Sequence, residues 1–125
     1  MTLSRRLRIA LAALILLGGL IHLQQFLDGF SSIPIIGPMF LANAVASAVV
    51  AALLVWRSER LWIIAGGLVA TGSLAAILIS RGPGLFGYVS SSFEAPEALA
   101  VVSEAAAFLL ATFILVKRSR LTPAS

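Results

Sequence analysis

Apolar positions in this chain are grouped in long blocks, and the polar positions lie mostly between the blocks. Four such blocks cover about residues 8–27, 39–56, 61–80 and 97–116. A helix of about 20 apolar residues crosses the ~30 Å hydrocarbon core of a bilayer. The pattern therefore predicts an all-α membrane protein, an up-down bundle of four transmembrane helices that forms one domain over residues 1–125.

Helix-breaking or charged segments separate the blocks. The second block follows Gly37 and Pro38, and proline is favoured at the first position of a helix. A short charged turn at 57–60 joins the second and third blocks, and Arg-Gly-Pro-Gly at 81–84 cannot continue a helix. Each boundary predicted from hydrophobicity therefore coincides with an independent stop signal.

Composition excludes a soluble globule. The chain is 60% hydrophobic and 11% charged, whereas soluble domains carry about 25% charged residues. A chain of 125 residues cannot hide that much apolar surface from water, so the lipid bilayer is the expected partner. The sequence has no cysteine, which excludes disulfides and thiolate metal sites within the chain.

The positive charges predict an orientation. Eight of the nine basic residues lie before or at the start of the first block, in the turn 57–60 or after the fourth block, and Arg81 is the exception. Because short loops rich in Lys and Arg stay in the cytoplasm, both termini are expected to be cytoplasmic in a bacterial plasma membrane. The net charge of +4 thus reflects topology. A nucleic-acid partner is not expected, since it would need a denser patch.

Polar side chains within or beside the blocks gather in the half of the membrane opposite the basic termini. The rise of ~1.5 Å per residue puts most of them about 8–10 Å below that surface. The candidate pocket residues are His22, Gln25, Asn43, Ser47, Ser73, Glu97 and Glu104. In the other half, the only polar member is Thr112 over residues 9–17, 49–55, 62–68 and 105–116. A channel needs polar groups across the whole thickness, so we predict a pocket that opens outward and is sealed inward.

Three uses of these residues are compatible with the sequence. They can bond one another as structural links between helices, form the binding pocket of a ligand-binding or accessory subunit, or act in a small membrane enzyme or redox accessory. In the last case Glu104 and His22 form the acid-base or metal-binding pair. One histidine with one carboxylate is short of the three or four ligands of a usual zinc or copper site. No cofactor is identified by the sequence.

Two weaker patterns concern assembly. Residues 6–10 resemble 60–65, and 57–61 resemble 118–121, which is typical of a parallel two-helix repeat but is also expected by chance in Ala/Leu-rich segments. Small residues at helix spacing favour close helix contacts. A homo-oligomer or a larger membrane complex is therefore expected.

The segment HLQQFLDGFSSIPIIGPMFLANAVASAV at 22–49 resembles a motif of small four-span membrane proteins that are frequent in actinobacterial genomes. The similarity lies in a histidine near the end of the first span, then Ile-Pro-x-Ile-Gly, a Phe and an Asn. Gly-Leu-Phe-Gly-Tyr at 84–88 and the acidic residues of the fourth span are also similar. A second similarity, to DoxX-type four-span proteins, concerns topology and an early Gly-then-His. Both resemblances imply fold and topology and imply no activity.

Overall fold

A computed structural model describes residues 2–81, 84 and 95–121 and shows a bundle of four helices. The helices are α1 (Leu3–Leu27), α2 (Ile36–Trp56), α3 (Arg60–Arg81) and α4 (Ala95–Leu121). A 3₁₀ turn, Phe30–Ser32, lies between α1 and α2. All four helices are long and apolar enough to cross a membrane. The predicted all-α, four-span fold is confirmed.

All four helices begin before their hydrophobic blocks, α1 by five residues, α2 by three, α4 by two and α3 by one. Helix α2 begins at Ile36, so Pro38 lies within its first turn instead of at its first position. Helix α4 begins at Ala95 and has Pro96 and Glu97 in its first turn. The first four N–H groups of a helix have no partner within that helix, so proline is tolerated there. Residues 85–88 of the Gly-Leu-Phe-Gly-Tyr motif lie outside the described residues.

The helices pack as two close pairs, α1 with α2 and α3 with α4, and α1 also lies against α4. The core is apolar and lies toward the basic end of the bundle, which comprises the start of α1, the turn 57–59 and the end of α4. Its central side chains are Leu11, Ile15, Leu54, Ile63, Ala111 and Ile114. Large apolar side chains on the outer faces, such as Leu68 and Leu109, are about two-thirds exposed and face the hydrocarbon.

A close contact between α1 and α2 depends on a glycine. A Cβ atom placed on Gly19 would lie 2.5 Å from the Cβ atom of Ser47, which no side chain tolerates. Ser47 is itself 1% exposed. Small residues let membrane helices approach closely enough for backbone contact, so this pair sets the separation of α1 and α2 in the half opposite the basic end.

A buried arginine closes the basic end. Nη1 of Arg8 donates to the carbonyl oxygens of Leu54, at 2.8 Å, and of Arg57, at 2.7 Å. Nη1 of Arg118 donates to the carbonyl oxygen of Ser58 at 2.6 Å. The last four carbonyl groups of a helix have no partner within that helix, and Arg8 donates a hydrogen bond to one of them, that of Leu54, at the end of α2. From the sequence, Arg8 was expected only to influence topology through its charge.

The turn after α2 also contains an exposed ion pair. Nη2 of Arg57 lies 2.6 Å from Oε1 of Glu59, and this hydrogen bond lowers the pKa of the Glu59 carboxyl group. A carboxyl group with a lowered pKa stabilises the fold above its unfolded pKa, and the effect is lost as pH falls through the folded pKa. Because both groups are exposed to solvent, the contribution is small.

Candidate functional site

The segment between α1 and α2 folds back over the bundle at the end opposite the basic end. Ile35 has a φ angle of 68°, and the N–H group of Ile36 donates to the carbonyl oxygen of Pro34 at 2.7 Å. This is a γ-turn of the rare, strained kind, and positive φ is unusual for a β-branched residue. The turn directs Ile36 into the bundle, where its side chain is 1% exposed.

Three rings connect this segment to the interior. Phe30 and Phe40 stack with ring centroids 4.8 Å apart, and Phe40 meets the His22 ring edge-on at 5.0 Å. Gly37 allows the segment to lie close to α2, because a Cβ atom there would be 2.6 Å from the carbonyl oxygen of Phe30. The position of the only histidine therefore depends on the segment between α1 and α2.

His22 is 6% exposed and is oriented by its own helix. Its Nδ1 atom lies 2.7 Å from the carbonyl oxygen of Gly18. A carbonyl oxygen can only accept, so Nδ1 carries the proton and, in the neutral ring, Nε2 is an acceptor. The described residues offer Nε2 no hydrogen bond. Oε1 of Glu104 is 3.7 Å from Nδ1, which is close for charges and too far for a hydrogen bond.

Glu104 faces the bundle and is 4% exposed. Its Oε2 atom is buried and has no hydrogen-bond donor within the described part of the chain. The Ser73 hydroxyl lies within reach of the carboxyl group. A buried carboxyl oxygen without a donor costs about 1–3 kcal/mol or more. The site therefore retains a hydrogen-bonding capacity that the described protein groups leave unused.

A chain of hydrogen bonds crosses from α2 to α3 beside this carboxyl group. The Ser47 hydroxyl donates to Oδ1 of Asn43 at 3.3 Å, and Nδ2 of Asn43 donates to the Ser73 hydroxyl oxygen in a short contact. Since Ser73 also reaches Glu104, the chain extends to α4. These groups hold three helices at a common depth.

A cavity of about 70 Å³ lies above this network. Its polar lining residues are His22, Gln25, Ser73, Ser80 and Glu97, and its aromatic ones are Phe30 and Phe40. A second cavity of about 10 Å³ lies among Gly18, Asn43 and Glu104. One water needs at least about 10–15 Å³ measured in this way. The larger cavity therefore accommodates several waters or a small chemical group.

The structure brings the candidate pocket residues together in two layers. The deeper layer holds Glu104 with the network of Asn43, Ser47 and Ser73. His22 and Ser73 connect this layer to the cavity above, which Gln25 and Glu97 also line. Their proximity is a structural finding, and their role in binding stays a prediction.

A metal site receives little support from the described side chains. No group of three or more His, Cys, Asp or Glu residues comes close enough to hold a metal within the described ranges. His22 and Glu104 approach each other as a pair, with Nδ1 already bonded to a backbone carbonyl. Structural and catalytic zinc sites use three or four protein ligands.

Phe30, Phe40 and Ser80, which line the cavity, and Ser103, which is buried on α4, were absent from the predicted site. Phe40, which contacts His22, was noted only as part of a motif. Ser103 is 2% exposed and donates to the carbonyl oxygen of Ala100 within α4 at 3.0 Å. Helical spacing places Ser103 next to the face of Glu104, which is a usable signal. No comparable pattern indicates that an aromatic ring will touch a histidine on another helix.

The geometry and the four apolar helices define the class of protein as a multi-pass membrane protein with a polar site in one half of its bundle. No protein-family model, no curated protein and no solved structure matches the chain. The resemblances to actinobacterial four-span proteins and to DoxX-type proteins stay predictions.

Proposed function

We propose that this protein is a ligand-binding or accessory subunit of a bacterial plasma membrane, with its binding site in the 70 Å³ cavity. The observation that carries the proposal is the buried Oε2 atom of Glu104, which no described residue bonds and which lies beside the cavity-lining residues His22 and Ser73. Buried polar groups are almost always hydrogen-bonded. A ligand in the cavity supplies the missing donor directly or through one water in the space of about 10 Å³ beside Glu104.

Structural linkage alone explains only part of the network. The bonds of Ser47, Asn43 and Ser73 satisfy one another, as groups that serve only to join helices should. His22 and Glu104 are different, because Oε2 of Glu104 is buried without a donor and Nε2 of His22 makes no hydrogen bond with the described residues. A half-satisfied polar network is less stable than an apolar core. A bound ligand would explain why the protein has polar atoms without partners at these two residues.

The alternative of a small membrane enzyme or redox accessory is less well supported by the geometry. A general acid and base exchange a proton over a hydrogen bond of about 2.6–3.2 Å or through one water. Nδ1 of His22 is 3.7 Å from Glu104, and its proton is bonded to Gly18. Binding therefore requires no rearrangement of the pair, whereas direct acid-base exchange between them does.

We place the basic end in the cytoplasm and the cavity toward the outside. At the basic end, hydrogen bonds from Arg8 and Arg118 join the start of α1, the turn after α2 and the end of α4. A cytoplasmic reporter fused after Ser125 should be active, and one inserted near Ser91 should behave as external. Activity of both reporters on the same side of the membrane would contradict the four-span orientation.

Native mass spectrometry in mild detergent tests ligand binding directly. Wild-type protein purified from its own membrane should carry an added mass. Glu104→Gln keeps the shape of the side chain and should change stability little, yet the added mass should be lost or reduced about tenfold, as for one lost hydrogen bond. His22→Ala should give the same loss.

Thr112→Val is the matched control, because Thr112 is an exposed residue of the same helix as Glu104 and its hydroxyl donates within the helix to Phe108. It should leave the added mass unchanged. A wild-type spectrum without any added mass would contradict the proposal. Retention of the added mass by Glu104→Gln protein would also contradict the proposal.

The homo-oligomer or larger complex expected from the sequence stays a prediction, and the same spectra measure it through the mass of the intact assembly.

A further inference from the structure

A groove opens on the side of the bundle between α2 and α3. It encloses about 420 Å³, and apolar residues such as Met39, Ala42, Ala46 and Leu68 form most of its lining. Leu68 is 67% exposed, and both helices are long and apolar enough to cross the membrane. The groove therefore faces the hydrocarbon of the bilayer and not the aqueous phase.

This groove adjoins the binding cavity. The two spaces share His22, Ile36, Phe40, Ser73 and Ala76 as lining residues. The half-buried Phe40 ring lies against His22 on one side and Phe30 on the other. A path from the lipid to the imidazole ring thus passes along α2 and α3 and reaches the ring beside Phe40.

The geometry points to a ligand that comes from the lipid phase: a single-chain amphiphile with a hydroxyl head, whose chain lies in the α2–α3 groove and whose hydroxyl donates to Nε2 of His22. This inference rests on the proposed function and names its ligand class. The apolar groove matches an alkyl chain, which a water-soluble ligand lacks.

The head group follows from the histidine. Nδ1 donates to the carbonyl oxygen of Gly18, so Nε2 of the neutral ring accepts. A hydroxyl head supplies the donor that this atom needs. An ether or ester head offers only acceptors and leaves Nε2 without a partner.

Photolabelling in phospholipid vesicles tests the inference with two probes. The first is a diazirine-bearing hexadecanol, and the second is its methyl ether, which has the same chain and no donor. Wild-type protein should be labelled by the alcohol about tenfold more than by the ether, as for one hydrogen bond lost. The labelled peptides should come from α2 and α3.

Gly72 offers a way to fill the groove without disturbing the fold. It lines the groove, and a Cβ atom placed on it would meet nothing within 4 Å. Gly72→Leu should reduce labelling by the alcohol about tenfold, comparable to the loss of one specific contact. Thr71→Leu adds similar bulk at the neighbouring exposed position of α3, outside the groove, and should leave labelling unchanged.

The results separate this inference from the proposed function. Equal labelling by alcohol and ether, unaffected by Gly72→Leu, would show ordinary lipid contact and overturn the lipid-phase ligand. A native added mass that depends on Glu104 and survives in Gly72→Leu protein would also overturn it, while the cavity would stand as a binding site. Labelling that prefers the alcohol, falls in Gly72→Leu and falls again in His22→Ala would support both.

Discussion

Gly19→Ala should destabilise the bundle by about 1–3 kcal/mol, the usual cost of forcing an extra group into a packed interior. The new Cβ atom would lie 2.5 Å from the Cβ atom of Ser47, and both atoms are held by their backbones. Alanine raises helix propensity by up to about 1 kcal/mol over glycine, so the measured cost includes that gain. Unfolding in mixed micelles with increasing SDS measures it.

The neighbouring glycine provides the control. A Cβ atom on Gly18 would lie 3.5 Å from the Glu104 side chain, an ordinary contact. Gly18→Ala should therefore be neutral or slightly stabilising. Equal stability of the two alanine variants would contradict the close approach of α1 and α2 at Gly19.

Arg8→Met should destabilise the protein by about 2–3 kcal/mol, within the range for hydrogen bonds made by a charged group. The substitution keeps an unbranched apolar side chain along the helix and removes both hydrogen bonds from Nη1, to the carbonyl oxygens of Leu54 and Arg57. The loss is partly offset, because burial of the guanidinium group is itself costly and its Nε atom has no partner among the described residues.

Arg6→Met is the matched control, since it removes the same charge from an exposed position two residues away. Unfolding measurements on both variants should show the cost for Arg8 alone. Reporter fusions should show that neither substitution inverts the protein, because seven other basic residues stay at that end. A loss of stability that is equal in the two variants would mean that charge, and not the contact with α2, is what matters.

Arg8 and Gly19 lie on one buried face of α1, with Leu11, Ile15 and His22. Three groups follow one another along this face. Arg8 donates to the end of α2 at the basic end, and the apolar residues form part of the core. Gly19 then allows the close approach of α1 and α2 beside the polar site near His22. Because the middle of this face is apolar, the arrangement supports a site reached from one end or from the side, and not a continuous pore.

The sequence by itself determined the class, the four spans and the depth of the polar residues. Hydrocarbon thickness and the helical rise are constants, so a block of about 20 apolar residues specifies a span without any tertiary contact. The same arithmetic located His22 and Glu104 at one level. The differences in helix limits run from one residue in α3 to five at the start of α1 and the end of α4. At the starts of α2 and α4 they arise because the first-turn N–H groups have no partner within the helix, so proline is tolerated there.

Tertiary structure alone decided which side of each helix faces inward and which groups meet. In water, an apolar stripe identifies the buried face, but lipid and the protein interior are equally apolar, so these helices carry no such stripe. Adjacent Gly18 and Gly19 are equivalent in the sequence and differ in the bundle, where only Gly19 touches Ser47 too closely for a side chain. Likewise Arg8 was indistinguishable from Arg5 and Arg6 until α2 ended beside it. Rotation about the helix axis and the choice of neighbouring helix depend on packing between distant segments, and no local pattern in the chain encodes them.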